Sequence, residues 1–475
     1  MTKNITPRLQ LLNEEQINNI HEYSLKILEH TGIRVESKTA LGIFEKSGQI
    51  RRDGEIVYIN RELVNQAISS APENIEIHAK SGKLAFHLGN KQGDNTYFGI
   101  GVTNTYFQDI ETNGIVPFTR KHMRASTALG DILEHIDMIS TIGIPSDVEV
   151  QKLDLFASLD MYANSTKPIV LLISESNNIN RVFDLLSHIH GDLASKPFCI
   201  PYVNPITPLV LNKATSDKME ATIDRNLPLM YSNYSMYGGT SPITEGGSLA
   251  LMNAELLAGL VYSQLIKEGT PIILGSLPAA FNMQTMGSQY TPTTYTLNLA
   301  CAEMMHHYKI PHCGTSGSNN GWGPDILASA DLWQNHLTSC LGKIGCAPFI
   351  GGNFDSLAFS PSTVVLANHI IGQAKEFCRG FSIDENTVNL EEIHRVSHGG
   401  NYFTSPQTLS SMSKIKRKAT IWPSFNIDSW FGSDPPNAEK HLRDFTKSLY
   451  EEAESTTQEN IDVVMRGEEY IAKNF

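Results

Sequence analysis

The stretch YSNYSMYGGTSPITEGG, residues 231 to 247, spaces three tyrosines three residues apart, ahead of a Gly-rich turn and a lone carboxylate, Glu245. Aromatic faces beside one carboxylate suit a quaternary ammonium, held by cation–π attraction of roughly 0.5 to 2 kcal/mol per ring. The same residues have plainer uses. Tyr231 and Tyr237 can pack between a strand and a helix, and Glu245 can favour the N-terminal dipole of the helix that follows. If the run is a strand, Tyr231 and Asn233 share one face and Tyr234 takes the other, so all three tyrosines cannot serve one site.

Other residue types with chemical potential are less convincing. HHYKIPHC gathers His306, His307, His312 and Cys313, which are zinc-binding types. Adjacent histidines on a helix diverge, so His306 and His307 cannot both face one ion with His312. Cys340 and Cys346 are expected in the core. No G-x-S-x-G elbow is present, which argues against a serine hydrolase.

The elements that position these residues repeat along the chain. Eight short apolar runs each lead into a helical segment: TYFGIGVTN, STIGIPSD, PIVLLISES, FCIPYVNP, LPLMYSNYS, TPIILGSLP, IPHCGTSGS and CAPFIGGN. This alternation predicts an α/β fold, a (β/α)₈ TIM barrel over residues 91–385. A doubly wound sheet is the competitor, but no G-x-G-x-x-G opens a helix after a strand. Residues 1–90 read as a small α+β appendage: LNEEQINNIHEYSLKILEHTGIRV as a helix closed by Gly32, a second helix in SKTALGIFEKSG, a strand EIVYIN and a helix ended by Pro72. Residues 386–475 read as a cap, or as an arm packing on a neighbouring subunit of a homo-oligomer.

A barrel of this kind carries its active site at the C-terminal strand ends. The residues expected there are Tyr106, Glu175, Asn204, Asn233 and Tyr234, Ser276, Asn319 and Trp322, and Asn353 and Phe354. They are rich in amides and aromatics. Paired carboxylates for glycoside hydrolysis and a lysine for Schiff-base chemistry are missing.

Composition sets the outer limits. The chain has 475 residues, 41% hydrophobic and 18% charged, with net charge -13 and no basic run longer than KIKRK at residues 414–418. That balance argues against nucleic acid as the main partner. The N-terminal residues show no apolar signal core, no window approaches a membrane span, and the six cysteines form no C-x-x-C pair. A soluble, cytoplasmic protein with reduced thiols is expected.

Several separated segments resemble the trimethylamine methyltransferase family. They are LNEEQINNIHEYSLKILEHTGIRV, TYFGIGVTNTYFQDIETNGIVPFTRKHM, GGTSPITEGGSLALMNAELLAGLVYSQL and GGNYFTSPQTL, so the resemblance runs along essentially the whole chain. It implies a barrel enzyme that moves a methyl group from an amine to the cobalt of a separate corrinoid protein, with no cofactor of its own bound permanently. Members acting on trimethylamine carry pyrrolysine near the end of the seventh strand's loop. The corresponding segment here, SNNGWGPDILASADLWQ, has only ordinary residues and no lysine. The resemblance is therefore to the branch without pyrrolysine, which takes quaternary amines, glycine betaine foremost. Alternatives are proline betaine, carnitine or γ-butyrobetaine, a lyase or hydrolase on the same barrel, or a non-catalytic betaine-binding module.

A quaternary nitrogen leaves as a neutral tertiary amine, so no general acid is needed, in keeping with the strand-end residues. Substrate-binding candidates are Tyr97, Tyr234, Glu245, Trp322 and Phe354 for the cation. For a carboxylate they are His312, Asn319, Asn320 and His398. A wide mouth is expected, since a bulky macrocycle must reach it.

Overall fold

The computed structural model describes residues 4–89, 95–415, 421–431 and 436–475. The expected boundary at residues 90 and 91, and residues 416–418 of the basic run, lie outside the described residues.

Eight parallel strands close a barrel: β1 (Tyr97–Ile100), β2 (Met138–Ser140), β3 (Ile169–Leu172), β4 (Cys199–Val203), β5 (Leu229–Tyr237), β6 (Ile272–Asn282), β7 (His312–Cys313) and β8 (Cys346–Ile350). Each pairs with the next, and β8 returns to β1. Every strand is followed by an outer helix: α1 (Arg120–Ile132), α2 (Leu153–Asn164), α3 (Asn178–His190), α4 (Lys213–Asp224), α5 (Glu245–Ile266), α6 (Pro292–Tyr308), α7 (Ile326–Leu341) and α8 (Pro361–Arg379). The apolar runs are continuous because such strands are buried on both faces. Seven begin within the expected runs; the second strand ends where its run, STIGIPSD at 140–147, begins, sharing only Ser140 with it.

The barrel interior is packed. Met138, Val170, Ile200, Met230, Ile273, Cys313 and Cys346 form one buried cluster. Space is so short that a Cβ on Gly275 of β6 would lie 1.8 Å from the Cys313 carbonyl oxygen. The N-terminal end is plugged by a hairpin, Asn74–His78 against Leu84–Gly89, whose Ile75, Ile77, Phe86 and Leu88 join the same cluster. Its register with the barrel is fixed where the His78 N–H donates to Pro197 O (2.9 Å) and the Lys80 N–H to Thr166 O (3.0 Å), both just ahead of strands. The sequence reading stopped at Pro72 and missed this plug, although I-x-I and L-x-F-x-L carry the strand period.

Ahead of the hairpin, the helix Glu14–Lys26 opens on a capping box of Asn13 and Gln16, and the turn after it ends at Gly32, whose φ of 70° only glycine adopts freely. Helices Glu14–Lys26 and Arg61–Ser70 cover α5. That explains a helix that is apolar all round. Contrary to the expectation that no window approaches a membrane span, α5 is long and apolar enough to cross one, but 89% of its most apolar window is buried in this protein, as a core helix is.

The C-terminal segment ends in two helices, Ala438–Thr456 and Ile461–Asn474, which pack on α1, α8, α2 and α3 of the same chain. The Asp160 carboxylate of α2, wholly buried, accepts from Arg120 Nε (2.8 Å) and Arg124 Nε (2.9 Å), and Arg120 also pairs with Glu468 at 2.7 Å. Both of these helices of the expected cap or arm pack on this chain's own barrel.

Candidate active site at the barrel mouth

With the bottom plugged and the interior filled, the open end is at the C-terminal strand tips. The floor there is aromatic. Tyr202 of β4 meets Phe349 of β8 edge to face at 5.0 Å, and Asn204 Nδ2 donates to the Tyr202 hydroxyl at 2.9 Å. Burial pushes the Tyr202 phenol well above its ordinary pKa, so it stays protonated.

Strand period decides what β5 offers. The strand runs regularly through Tyr237, so Met230 and Tyr234 face inward while Tyr231, Asn233 and Tyr237 face the helices. Asn233 donates to Met252 O (3.0 Å) and Glu255 Oε2 (2.7 Å) of α5, and Ser276 Oγ donates to Asn233 Oδ1 at 2.5 Å. Asn233 and Ser276, expected at the mouth, are therefore outward residues. The carboxylate they serve also accepts from Leu209 N (2.7 Å) and Thr207 Oγ1 (3.0 Å), which holds the loop after β4 onto α5. Burial lifts the Glu255 pKa to about 7, against the three donors.

Strand β6 outruns the sequence reading. It continues to Asn282 and folds back through Gly287–Gln289, making a hairpin above the rim. This brings Ser288 and Tyr290 beside Tyr234, and the hydroxyls of these three interact with one another. From the other side comes the loop after β8, in which Phe354, Asp355 and Ser356 all take left-handed backbone angles (φ 53°, 58° and 61°). Three such non-glycine residues in succession carry strain that the neighbouring contacts must offset. The loop is held by Asn104 Nδ2 donating to Ser356 O (2.7 Å) and by the Asp355 carboxylate, which accepts from Ser288 N (3.1 Å) and Ser288 Oγ.

Further ties lock this half of the rim. Asn320 bonds Tyr290, Gln108 Nε2 donates to Trp322 O (2.8 Å), and Asn353 Nδ2 donates to Gln108 Oε1 (2.9 Å). The loops after β1, β6, β7 and β8 thus form one clasped wall. Among the described residues, no hydrogen bond joins the loops after β3 and β4 to the hairpin or to the loops after β7 and β8. That side of the mouth is free of the clasp.

The sequence candidates separate accordingly. Tyr234 faces the mouth beside Tyr290. Trp322 and Phe354 stand exposed on the rim, 69% and 40% accessible. Asn320 and Asn319 serve the clasped wall: Asn319 is buried, accepts from Gly321 N (2.9 Å) and donates to Gly317 O (3.2 Å), so its amide is spent on the loop.

Four expectations are corrected. Tyr97 begins β1 at the plugged end, stacked on Phe86 at 4.4 Å, because it opens the strand and does not close it. His312 faces the helix layer near His306, buried and without a hydrogen-bond partner among the described residues, and burial lowers its pKa to about 3, so it is neutral. Glu245 is exposed in the first turn of α5, the dipole position of the plainer reading. His398 is exposed in the C-terminal segment, its Nδ1 3.1 Å from its neighbour Ser397 Oγ. Sequence reasoning missed Tyr202, Ser288, Tyr290 and Asp355. The signal for Asp355 was its being the sole charge in CAPFIGGNFDSLAFS; Tyr290 gave none, since it depends on the hairpin.

Among the described residues no group of three or more His, Cys, Asp or Glu side chains is arranged to hold a metal ion. What this side of the mouth offers is tyrosine hydroxyls and ring faces, amides and the Asp355 carboxylate. On a (β/α)₈ barrel plugged at its other end, this mouth is the candidate site.

The chain belongs to the trimethylamine methyltransferase family, whose model matches residues 1–474. It is 24% identical to trimethylamine methyltransferase MttB of Desulfitobacterium hafniense (strain DSM 10664 / DCB-2), over 93% of this chain and 88% of the relative. It is 26% identical to the glycine betaine methyltransferase of Desulfitobacterium hafniense (strain Y51), over 90% and 89% respectively. The crystal structure of the Methanosarcina barkeri monomethylamine methyltransferase superposes with a TM-score of 0.54 over 94% of this chain and 89% of that one, at 9% identity, a likeness of fold.

Proposed function

We propose that the protein takes a methyl group from a quaternary amine, glycine betaine first, and delivers it to Co(I) of a corrinoid carried by a separate protein. The corrinoid acceptor is what membership of this family implies. One observation carries the substrate class. The loops after β4 to β8 (204–212, 238–244, 283–291, 314–325 and 351–360) contain no lysine or arginine, whereas the loop after β2 carries Lys152 and Lys218 of α4 donates to Ile173 O, after β3, at 2.6 Å. Cation-free loops beside a wall of tyrosines favour a positively charged ligand on that side of the mouth.

The residues present fit that chemistry. The C–N bond breaks toward nitrogen, which leaves as a neutral tertiary amine, so no proton has to be supplied. Tyr234, Tyr290 and Tyr202 stay protonated and bind; they do not titrate into bases. Asn204 and the tyrosine hydroxyls are the donors available to a betaine carboxylate. The protein's work is to aim one N-methyl group outward and to exclude water, while the acceptor supplies the nucleophile. The unclasped side of the mouth, by the loops after β3 and β4, is where a large acceptor would enter. A cytoplasmic setting and a homo-oligomeric assembly belong to the same proposal, as does the division into an appendage, a barrel and a C-terminal segment.

The test is product analysis. Glycine betaine incubated with the protein and a reduced corrinoid protein should yield dimethylglycine by proton NMR, in stoichiometry with the corrinoid. Betaine recovered intact with an active corrinoid would refute the reading.

A further inference from the structure

We infer that Asp355 is the residue that selects a cation, supplying the negative end of the ammonium pocket with Tyr234 and Tyr290 as its aromatic walls. The inference rests on the quaternary-amine reading of this same mouth and goes beyond it by naming the charge that discriminates.

Between β4 and α8 the strand-end loops hold only two charged side chains, Asp325 and Asp355. Asp325 is spent as the N-cap of α7, accepting from Ala328 N and from Trp322 N at 2.8 Å each. Asp355 pairs with no lysine or arginine among the described residues. Its only hydrogen-bond partner there is Ser288, whose N–H and hydroxyl take one lone pair on each oxygen and leave another free. The carboxylate acts electrostatically on both Tyr234 and Tyr290, the two tyrosines of the mouth wall. It is also partly shielded from water, which raises its pKa above the usual carboxylate value.

Its position is expensive to maintain. The residue sits in the middle of three successive left-handed, non-glycine positions, and Ser356 O is pinned by Asn104. A loop whose only task was to join β8 to α8 needs none of this. A carboxylate with no lysine or arginine partner among the described residues, held against two tyrosines on loops that carry no cation, matches what an ammonium requires: rings for its methyl faces and one countercharge.

The experiment compares charge with shape. Glycine betaine and 3,3-dimethylbutanoate have the same outline, but the second has carbon in place of the charged nitrogen; tetramethylammonium has the charge and no carboxylate. Binding of each to the full-length protein is measured by calorimetry for wild type, Asp355→Asn and Asp355→Glu, with thermal midpoints recorded in parallel. Asparagine keeps an acceptor for Ser288, so the loop is retained.

The expected result is that wild type binds both ammonium ligands and discriminates against the isostere whose quaternary carbon is uncharged. Asp355→Asn should lose about tenfold or more in affinity for both ammonium ligands while its binding of 3,3-dimethylbutanoate does not fall, and Asp355→Glu should recover part of the loss. Equal losses for all three ligands would make Asp355 a structural fastener and overturn the inference, as would unchanged affinity for the ammonium ligands, or a wild type that binds neither of them. Methyl transfer is read separately. Charge selection that depends on Asp355 without any transfer would leave the pocket standing and remove the reaction. Transfer without dependence on Asp355 would do the reverse.

Discussion

Asn320 bonds the backbone of Tyr290 twice: its Oδ1 accepts from Tyr290 N at 3.1 Å and its Nδ2 donates to Tyr290 O at 2.8 Å. The loop after β7 thereby acts as a splint for the hairpin of β6, and Asp331 Oδ2 holds the Asn320 amide in turn at 2.8 Å. Tyr290 reaches the mouth because of this splint.

Replacing Asn320 with Ala should remove both bonds and cost about 1 to 2 kcal/mol, since exposed termini of a hairpin regain water. The diagnostic readout is local. Hydrogen exchange should quicken in residues 283–291 while the strands of the barrel keep their protection, and substrate affinity should fall.

Tyr234 and Tyr290 are described as walls whose rings matter more than their acidity. Tyr234→Phe should retain most of the affinity for a quaternary amine, whereas Tyr234→Ala should lose about 1 kcal/mol or more through the missing ring face. Calorimetry on the two variants separates the roles. Equal losses would assign the binding to the hydroxyl.

Glu255 gives a pH dependence with a definite sign. Its folded pKa is raised from 4.5 to about 7, chiefly by burial. The stability it contributes is therefore complete below its unfolded pKa, near 4.5, and is lost as pH rises through about 7. The shift corresponds to about 3 kcal/mol. Thermal midpoints measured from pH 5 to pH 8 should fall in the wild type, and this component should disappear in Glu255→Gln. The Gln variant should also loosen the loop after β4, because an amide nitrogen would then face one of the three donors.

Phe86 tests which end of the barrel is closed. Buried and stacked on Tyr97, it is part of the plug, so Phe86→Ala should cost about 3 to 5 kcal/mol of stability. Affinity for a quaternary amine should be unchanged in the fraction that remains folded. A loss of affinity there would put Tyr97 back in contention for the site.

Strand positions were legible in the sequence because buried parallel strands announce themselves as apolar runs with polar ends; seven were located and the second was set too late, on the loop that follows Met138–Ser140. Period-two alternation also sorted Tyr231 and Asn233 from Tyr234 correctly. Reading failed where position depended on a chain reversal or on which end of a strand a residue occupies. Tyr97 looked like a strand-end aromatic, but it is the first residue of β1. His312 lay at the right strand and the wrong face. Glu245 was readable both ways, and the structure puts it in the helix's first turn. Ser288, Tyr290 and Asp355 come together only because β6 folds back on itself and the loop after β8 takes left-handed angles at ordinary residues. No local pattern encodes that meeting.

The most direct measurement of the central claim is cobalt spectroscopy. The protein is mixed anaerobically with a Co(I) corrinoid protein and, in separate cuvettes, glycine betaine, proline betaine, carnitine, choline and trimethylamine. The account predicts that the Co(I) absorbance is replaced by that of the methylated corrinoid with a quaternary amine, glycine betaine foremost, and not with trimethylamine. Conversion with trimethylamine alone, or with none of the five when the corrinoid is demonstrably active, would contradict it.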